Sequence, residues 1–334
     1  MNDNITPYVR YIGADDKDLD LFESQYVVPQ GISYNSYVIT DEKIAVMDTI
    51  DQRKTEEWTV RLEEALEGRT PDYLIVQHME PDHAANIGWF AEKYPEATIV
   101  ASAKAIQMMP QFFEEVNFAG RTQTVKEGDT LCLGQHTLKF IMAPMVHWPE
   151  VMLTYEESEK ILFSADAFGK FGALCHEGEW IDEARRYYFN IVGKYGAQVQ
   201  ALLKKAAGLD IAMICPLHGP VLKENLGYYI GLYDTWSKYE PETEGVVVAY
   251  ASIHGNTAAA ARRMAEILSE KGAAEVMLID LCRDDMALAV ESAFRYSKMI
   301  VAASSYDAGV FPPMFDFLHL SLIHISEPTR LGMI

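Results

Sequence analysis

The 334-residue chain has few cysteines, and they form no motif. Its four cysteines are Cys132, Cys175, Cys215 and Cys282, and no two of them form a C-x-x-C pair. This spacing excludes a four-cysteine zinc ribbon or a rubredoxin-type site within the chain. Scattered cysteines in a large domain are typical of free thiols in a reducing compartment, so we expect a cytoplasmic protein.

Targeting and anchoring segments are also missing from the sequence. The first residues, MNDNITPYVRYIG, contain neither a basic n-region nor an apolar h-region, so we expect no signal peptide. No apolar run approaches the length of a membrane span, and we therefore expect no membrane association. Basic residues are scarce, because 28 Lys and Arg stand against 49 Asp and Glu and give a net charge of −21. Such a charge argues against binding to nucleic acid.

The order of apolar segments predicts the fold class. Strand and helix patterns alternate up to about residue 115, consecutive strands separated by turn residues follow, and a long helical stretch covers about residues 182–207. This mixture predicts an α/β fold in which two sheets lie between helices, an αββα sandwich. The polar segment KYEPETEG, residues 238–245, marks a domain boundary, and the chain then restarts as βαβ units.

Histidine and aspartate residues follow four of the apolar strands. His78 comes after YLIVQ, His147 after FIMAPMV, Asp166 after ILFSA and His218 after IAMICPL. Strand ends at one edge of a sheet converge, so we expect these side chains to meet there. The stretch QHMEPDH adds three residues, and the complete candidate set is His78, Glu80, Asp82, His83, His147, Asp166 and His218.

Seven ligands are too many for one four-coordinate ion, and they predict two metal ions that share Asp166 as a bridge. A single histidine is more often a hydrogen-bonded residue than a ligand, but the conjunction of four strand ends is much stronger than its parts. Imidazole and carboxylate without thiolate suit iron, manganese or zinc. The carboxylate of Glu80 favours a harder, more oxidised metal and points to redox iron. For Asp48, an outer-shell role and a simple turn role both stay open.

These residues resemble the metallo-β-lactamase-like domain of flavodiiron proteins, also called A-type flavoproteins. The resemblance rests on H-x-E-x-D-H, a later histidine, the aspartate of SADAFG and the histidine of PLHGP, and it covers residues 1–243. Hydrolytic members of that superfamily carry H-x-H-x-D-H, and Glu80 here replaces the second histidine. The resemblance implies one iron on His78, Glu80 and His147 and another on Asp82, His83 and His218, with Asp166 between them.

The later part of the chain resembles the flavodoxin domain of the same family. The stretch AYASIHGNTAAAARRMAEIL predicts a strand, a polar loop and a helix that begins near Thr257, and such a loop cradles a phosphate. The stretch SSYDAGVFPPMFDFL follows the third strand. The resemblance implies that Ser252, His254, Gly255, Asn256 and Thr257 hold the FMN phosphate, and that Ser304, Ser305, Tyr306, Asp307, Ala308 and Gly309 approach the flavin ring.

This second domain departs from the family pattern in two ways. Where the family has S-P-T-Y-N-x-G, Ser304 replaces the proline and Asp307 the asparagine, and a carboxylate beside the ring is expected to alter the flavin potential. Only three of the five strands of a flavodoxin-like sheet fit, so we predict a partial doubly wound parallel sheet over residues 244–320. Residues 321–334, SLIHISEPTRLGMI, are predicted to be a non-native tail. FMN binding by this chain is therefore left open.

The resemblance implies a cytoplasmic oxidoreductase that reduces O2 to water or NO to N2O at a diiron centre. Two ferrous ions and reduced FMN together supply the four electrons that turn O2 into two waters, whereas two NO molecules need two electrons. The resemblance also implies a head-to-tail homodimer and an electron donor such as rubredoxin or another small protein. The sequence does not separate O2 from NO.

Two alternatives come from other classes of protein. One is a dinuclear zinc hydrolase of the same superfamily, which Glu80 and the flavodoxin-like segment disfavour. The other is an electron-carrying flavodoxin module with a degenerate first domain, which the complete ligand set disfavours.

Overall fold

A computed structural model describes residues 4–176 and 178–323 of the chain. The chain divides into two compact units, of which the first comprises Met1–Trp180 and Ala201–Ile230, and the second Ile181–Gln200 and Gly231–Ile334. No helix in the described part of the chain is long and apolar enough to cross a membrane. Residues 324–334 of the predicted non-native tail lie outside the described residues.

Short strands rich in aliphatic and aromatic residues build the first unit. In chain order they are β1 (Val9–Tyr11), β2 (Ala14–Asp16), β3 (Leu21–Phe22), β4 (Tyr26–Val27), β5 (Ile32–Tyr34), β6 (Tyr37–Thr40), β7 (Ile44–Met47), β8 (Tyr73–Val76), β9 (Thr98–Ser102), β10 (Thr122–Val125), β11 (Thr130–Cys132), β12 (Thr137–Met142), β13 (Met152–Glu156), β14 (Ile161–Phe163) and β15 (Met213–Cys215).

Helices connect these strands and continue the chain toward the second unit. In α1, Trp58, Leu62, Ala65 and Leu66 are buried at helical spacing, and the helix ends where Glu67 turns left-handed. The helices are α1 (Thr55–Leu66), α2 (Pro81–Ala84), α3 (Ile87–Lys93), α4 (Ala103–Phe112), α5 (Trp180–Tyr187), α6 (Gly196–Ala206) and α7 (Leu226–Ser237).

Two sheets form the core of the first unit. One has the order β1-β6-β7-β8-β9-β10 and is parallel from β7 to β10, and the other has the order β11-β12-β13-β14-β15 with a parallel last pair. Met47 and Ile75 of the first sheet share one buried cluster with Phe140 and Phe163 of the second. Leu74 and Val76 of β8 are buried too, so the first sheet is covered on both faces. The predicted α/β sandwich is confirmed.

The second unit contains the predicted βαβ units. Its three-stranded parallel sheet has the order β17-β16-β18, in which the first strand of the unit is central. This is the partial doubly wound sheet expected from the sequence. Its elements are β16 (Thr243–Ala251), α8 (Asn256–Glu270), β17 (Val276–Asp280), α9 (Met286–Arg295), β18 (Tyr296–Ala303), β19 (Ser305–Tyr306), β20 (Gly309–Val310) and α10 (Pro312–Ile323).

The two units interleave along the chain, which a single boundary near residue 243 does not describe. The helix expected over residues 182–207 is divided into α5, a π-helical turn at Tyr188–Val192, a 3-10 turn at Gly193–Tyr195 and α6. Residues 181–200 belong to the second unit, where Phe189 stacks on Phe294 with ring centroids 4.7 Å apart. The division into residues 1–243 and 244–320 therefore stays a prediction about sequence modules.

A buried ion-pair cluster within the second unit accounts for part of this interleaving. Arg185, which is 2% exposed, donates to both carboxylate oxygens of Glu242 at 2.7 and 2.5 Å. It also donates to the buried Glu291 at 2.9 Å. One guanidinium thus serves both carboxylates, and α5 is thereby tied to α9 and to the start of β16.

We predict that Arg185→Ala lowers the free energy of unfolding of the second unit by about 3–5 kcal/mol, because the buried Glu291 then loses the guanidinium that it contacts. Urea unfolding followed by the fluorescence of Trp236, whose indole N–H donates to Glu242, measures the loss. Arg263→Ala is the matched control, since Arg263 pairs with Glu266 and Glu270 on the exposed face of α8 and should cost about 0–1 kcal/mol. Equal losses in the two variants would contradict the prediction.

Candidate metal centre

Four of the seven predicted ligands lie where β8 ends and the short helix α2 begins. His78 follows β8 by two residues, and Glu80 precedes α2 with an extended backbone. Pro81 is the first residue of α2, where the missing N–H of proline leaves no hydrogen bond unmade. The single turn of α2 carries Asp82 and His83, and both are buried. The proline within the motif therefore fixes the turn that separates two pairs of ligands.

The remaining three predicted ligands lie on loops that follow strands of the second sheet. His147 lies between β12 and β13, Asp166 follows β14 and His218 follows β15. The chain reverses at Gly219, which has φ 81° and where an added Cβ would lie 2.7 Å from Cγ of Lys170. Only glycine fits this turn without strain. All three side chains are buried.

The structure brings His78, Glu80, His147 and Asp166 into one group, whose candidate ligand atoms all lie within 4.8 Å of one another. Oε2 of Glu80 lies 3.2 Å from Nε2 of His78 and 3.0 Å from Nε2 of His147. Both imidazoles therefore direct the same nitrogen, Nε2, toward the carboxylates.

Asp82, His83 and His218 form a second group within the same 4.8 Å limit. Oδ2 of Asp82 lies 3.2 Å from Nε2 of each histidine, and the two Nε2 atoms are 3.1 Å apart. Two imidazoles at this separation share a common point of convergence, as ligands of one ion do.

Asp166 joins the two groups through its two carboxylate oxygens. Oδ2 lies 3.2 Å from Nε2 of His78 and 3.1 Å from Nε2 of His147, whereas Oδ1 lies 3.2 Å from Nε2 of His83 and 3.9 Å from that of His218. Each oxygen thus faces a different group. This is the geometry that a carboxylate bridging two metal ions requires.

Hydrogen bonds on the far side of the imidazole rings set the ring orientations. Nδ1 of His78 bonds to Oε1 of Glu150 at 2.8 Å, and Nδ1 of His218 bonds to the carbonyl oxygen of Ser33 at 2.7 Å. These contacts leave Nε2 of each ring for the site. Glu150 is not among the residues predicted from the sequence, although it follows His147 by three residues in HWPE.

Asp48, whose role the sequence left open, lies outside both groups. Its carboxylate accepts hydrogen bonds from the backbone N–H and the side-chain amide of Gln77, at 2.7 and 2.8 Å. It also has a left-handed backbone, with φ 54°. Burial raises the pKa of Asp48 to about 6. Asp48 is thus both a turn residue and the anchor of the residue that precedes His78.

Aromatic rings wall the site on several sides. The ring of Phe22 meets His218 edge-on with centroids 5.4 Å apart, and Tyr34 lies 6.1 Å from the same ring. Trp148 packs edge-on against His78 at 5.4 Å. These walls lower the local polarity, which strengthens every electrostatic interaction among the charged groups.

Nearby carboxylates raise the pKa values of three imidazoles in the metal-free chain, those of His78, His83 and His147. Burial opposes a charged ring, but the adjacent Asp166 carboxylate raises the pKa of His147 to about 9. Against burial, the charges of Asp82 and Asp166 raise the pKa of His83 to about 10. The pKa of Asp166 lies well below its usual range despite burial, because His78 and His147 are in contact with it. Positive rings and negative carboxylates therefore compensate one another.

The donor set fits a pair of divalent ions. Within the described residues, both carboxylate oxygens of Asp82 and of Asp166 are buried and have no partner in hydrogen-bond geometry. Unpartnered buried carboxylate oxygens are costly unless a cation satisfies them. Two divalent ions would satisfy these oxygens and the convergent Nε2 atoms together.

The predicted phosphate loop lies between β16 and α8 in the second unit. The backbone N–H of Gly255, at φ 88°, donates to Oγ of Ser252 at 3.1 Å. Ser304, which follows the neighbouring strand β18, accepts from the N–H of Ile253 at 3.4 Å and lies 3.1 Å from Oγ1 of Thr257. The loop and the first turn of α8 carry all five predicted phosphate residues, Ser252, His254, Gly255, Asn256 and Thr257.

The predicted ring-contacting residues form an exposed hairpin directly after β18. Ser305–Tyr306 pairs with Gly309–Val310, and Asp307 and Ala308 occupy the turn with φ 46° and 59°. Two successive positive φ angles are those of a type I′ turn. The structure thus places Ser304 to Gly309 at the same edge of the sheet as the phosphate loop.

Comparisons with known proteins agree with this arrangement. The profile of the ODP family beta lactamase matches residues 32–219. The anaerobic nitric oxide reductase flavorubredoxin of Aliivibrio fischeri is 30% identical over 332 residues, which are 95% of this chain and 66% of that protein. The flavodiiron protein from Giardia intestinalis has a TM-score of 0.89 at 27% identity, over 96% of this chain and 79% of that one. Rubredoxin oxygen:oxidoreductase from Desulfovibrio gigas has a TM-score of 0.89 at 26% identity, over 95% and 81%.

The fold and the site define a β-lactamase-like protein with a histidine–carboxylate centre and a flavodoxin-like sheet. The chain belongs to the flavodiiron protein family, as its match to the ODP profile and its likeness to these relatives show. It spans 66% of the length of the flavorubredoxin that it matches, which is just under two thirds.

We predict that metal binding to the metal-free chain releases protons and strengthens as the pH rises from about 6.5 toward 9. The reason is that His147 and His83, with pKa values of about 9 and 10, must lose a proton before Nε2 can ligate. Calorimetric titration with Zn²⁺ in two buffers of different ionisation enthalpy counts the protons released. A binding enthalpy that is the same in both buffers would contradict the prediction. His254→Gln, on the exposed phosphate loop, should leave the count unchanged.

Proposed function

We propose that this chain carries the diiron centre of an oxidoreductase that reduces O2 to water or NO to N2O, with electrons relayed by FMN. The observation that carries the proposal is the carboxylate of Asp166, whose two oxygens face two histidine–carboxylate groups, one of which contains Glu80. Carboxylate-rich, thiolate-free sites of this kind suit redox iron.

The names of similar proteins support the proposal. One relative is described as an anaerobic nitric oxide reductase, and one solved structure as an oxidoreductase of rubredoxin and oxygen. The two names point to different gases, and we leave the choice between them open. The alternative of a dinuclear zinc hydrolase is disfavoured, because relatives with these names are oxidoreductases and because Glu80 occupies the position of a histidine in the hydrolases.

The metal ligands follow from the two groups. We assign His78, Glu80 and His147 to one ion, Asp82, His83 and His218 to the other, and Asp166 to both. When bound, the two irons would supply electrons for the reduction of the gas. Converting O2 to two waters takes four electrons and four protons, whereas two NO molecules take two electrons and two protons to give N2O and one water.

The chain's own side chains prepare the site for this chemistry. Glu150 and the Ser33 carbonyl hold His78 and His218 with Nε2 directed inward, so little rearrangement accompanies ligation. Phe22 and Trp148 keep bulk water away from two of the histidines. Positioning and exclusion of water are what the protein contributes to a metal-catalysed reduction.

For FMN we propose the phosphate loop at residues 252–257 and the hairpin at residues 304–309. Three observations support this assignment. An added Cβ at Gly255 would meet open space, Thr257 presents its hydroxyl at the start of α8, and Tyr306 is exposed on the neighbouring loop. A helix N-terminus with free donors favours a phosphate. The loops at this sheet edge thus supply donors for the phosphate and an aromatic surface beside it.

We also propose three features that stand outside the site. The protein is cytoplasmic, with free thiols in a reducing compartment. It acts as a head-to-tail homodimer, in which the flavin of one subunit serves the diiron centre of the other. It receives electrons from rubredoxin or another small donor, a role that the name of the Desulfovibrio gigas relative supports.

We predict about two irons per chain when the full chain is produced with iron and zinc both available and purified without oxygen. Asp166→Ala should lose most of the metal and the consumption of O2 and NO, because it removes the oxygens that face both groups. Elemental analysis and gas-electrode measurements with a chemical reductant test this. Asp210→Ala, at an exposed aspartate that pairs with Lys160, is the control and should keep both the metal content and the consumption of O2 and NO. Two zinc ions and no iron in the wild type would instead support the hydrolase.

For the flavin we predict that Asp307→Asn raises the potential of bound FMN for full reduction. The carboxylate beside the ring disfavours the anionic reduced flavin, and asparagine tolerates the same left-handed backbone. Reductive titration followed by the visible absorption of FMN measures the potential. Glu270→Gln, at the far end of the 15-residue helix α8 and about 20 Å from the phosphate loop, removes an equal charge and should leave the potential unmoved. An unchanged potential in Asp307→Asn would refute the prediction.

A further inference from the structure

Glu150 is a buried carboxylate that belongs to neither group of candidate ligands. Its Oε1 accepts from Nδ1 of His78 at 2.8 Å and from the backbone N–H of Met79 at 2.9 Å. The side chains of Glu150 and His78 are both 0% exposed. One oxygen therefore holds a ligand ring and also the peptide that links His78 to Glu80.

The backbone of Glu150 is anchored as well. Its carbonyl oxygen accepts from Oγ of Ser102 at 2.8 Å, and the same hydroxyl accepts from the N–H of Ala105 and caps helix α4. The carboxylate is thus fixed by its surroundings as firmly as the ligand it orients. A side chain held this way fixes the orientation of the His78 ring.

In the second group of candidate ligands, the outer nitrogen Nδ1 of each histidine does not face a carboxylate of the described residues. Nδ1 of His218 bonds to a neutral carbonyl oxygen, that of Ser33, at 2.7 Å. Nδ1 of His83 is buried and has no hydrogen-bond partner among the described residues. Each group of ligands contains two imidazoles and one carboxylate of its own and shares Asp166, so the direct ligands carry equal charge on the two sides. Among the described residues, a carboxylate that bonds to Nδ1 of a candidate ligand, that of Glu150, is therefore found on one side and not on the other.

We infer that Glu150 is a positioning residue that makes the two metal positions electronically unequal, so that the iron on His78, Glu80 and His147 is oxidised before the other. This inference rests on the diiron function proposed above. A carboxylate that accepts the Nδ1 proton makes the imidazole a stronger electron donor, which stabilises the more oxidised metal. The asymmetry gives the half-oxidised, mixed-valence centre a preferred location for its ferric ion.

Glu150→Gln tests the inference, because glutamine keeps an oxygen acceptor for His78 and Met79 but removes the charge. We expect two irons per chain to remain and the potential of the more easily oxidised iron to rise toward that of the other. The mixed-valence state, followed by electron paramagnetic resonance in a redox titration, should then reach a lower maximum and span a narrower range of potential. Glu156→Gln is the matched control, since Glu156 is also fully buried but, within the described residues, its carboxylate accepts from the backbone N–H groups of Ser158 and Glu159 rather than from a candidate ligand.

A second measurement separates positioning from folding and needs no iron. In the metal-free chain, Glu150→Ala should weaken binding of the first Zn²⁺ about 10–100-fold in a chelator competition, and Glu150→Gln should weaken it much less. A purely structural role would lower Tm in both variants and leave unchanged the range of potential over which the mixed-valence state is populated. That result would overturn the inference. Wild-type protein that binds zinc and rejects iron would overturn the proposed function and this inference together. If the wild-type protein holds two irons and Glu150→Gln leaves the potential of the more easily oxidised iron unchanged, this inference alone is overturned.

Discussion

The site depends on one buried carboxylate. Asp166 contacts histidines of both groups, and its two oxygens have no hydrogen-bond partner in the described part of the chain. A buried, unpartnered carboxylate is stable only beside positive charge. Protonated imidazoles supply that charge in the metal-free chain, and metal ions would supply it in the loaded protein. The histidines come from three different parts of the fold, the β8–α2 turn and the loops after β12 and β15, because no single helix or strand can surround one carboxylate.

The two sheets bring these histidines together around Asp166. β8 of the first sheet and β12, β14 and β15 of the second end near the same place, and each is followed by a predicted ligand within a few residues. The interior between the sheets is filled by residues such as Met47, Ile75 and Phe140, so the strand ends are held rigidly. Rigid strand ends fix the separations of Nε2 and carboxylate oxygens, and these separations decide which ions the site accepts.

The sequence predicts the parts of this arrangement that follow from local pattern. His78, His147, Asp166 and His218 each follow an apolar strand, and β12, β14 and β15 run in the same direction, so that their ends lie at one edge of the second sheet. The role of Glu150 does not follow, because its partner His78 is 72 residues away and an irregular loop gives no periodic signal. The extent of the second unit cannot be predicted from the sequence for the same reason. Arg185 meets Glu242 and Glu291 at sequence separations of 57 and 106, and nothing local to α5 shows which unit it joins.

The outer hydrogen bonds explain why the site geometry exists before any metal arrives. The Ser33 carbonyl holds His218, and the backbone N–H and side-chain hydroxyl of Thr49 both donate to the carbonyl oxygen of His83, at 2.9 and 2.8 Å. Asp48 fixes the residue before His78 in the same manner. None of these contacts uses a ligand atom that faces the site. Because the fold has already ordered the rings, a metal ion displaces protons from the histidines without reorganising the chain, and its binding energy is available to discriminate between ions. The choice of iron over zinc then rests on the donor set, and Glu80 is the residue in which that set departs from the hydrolases.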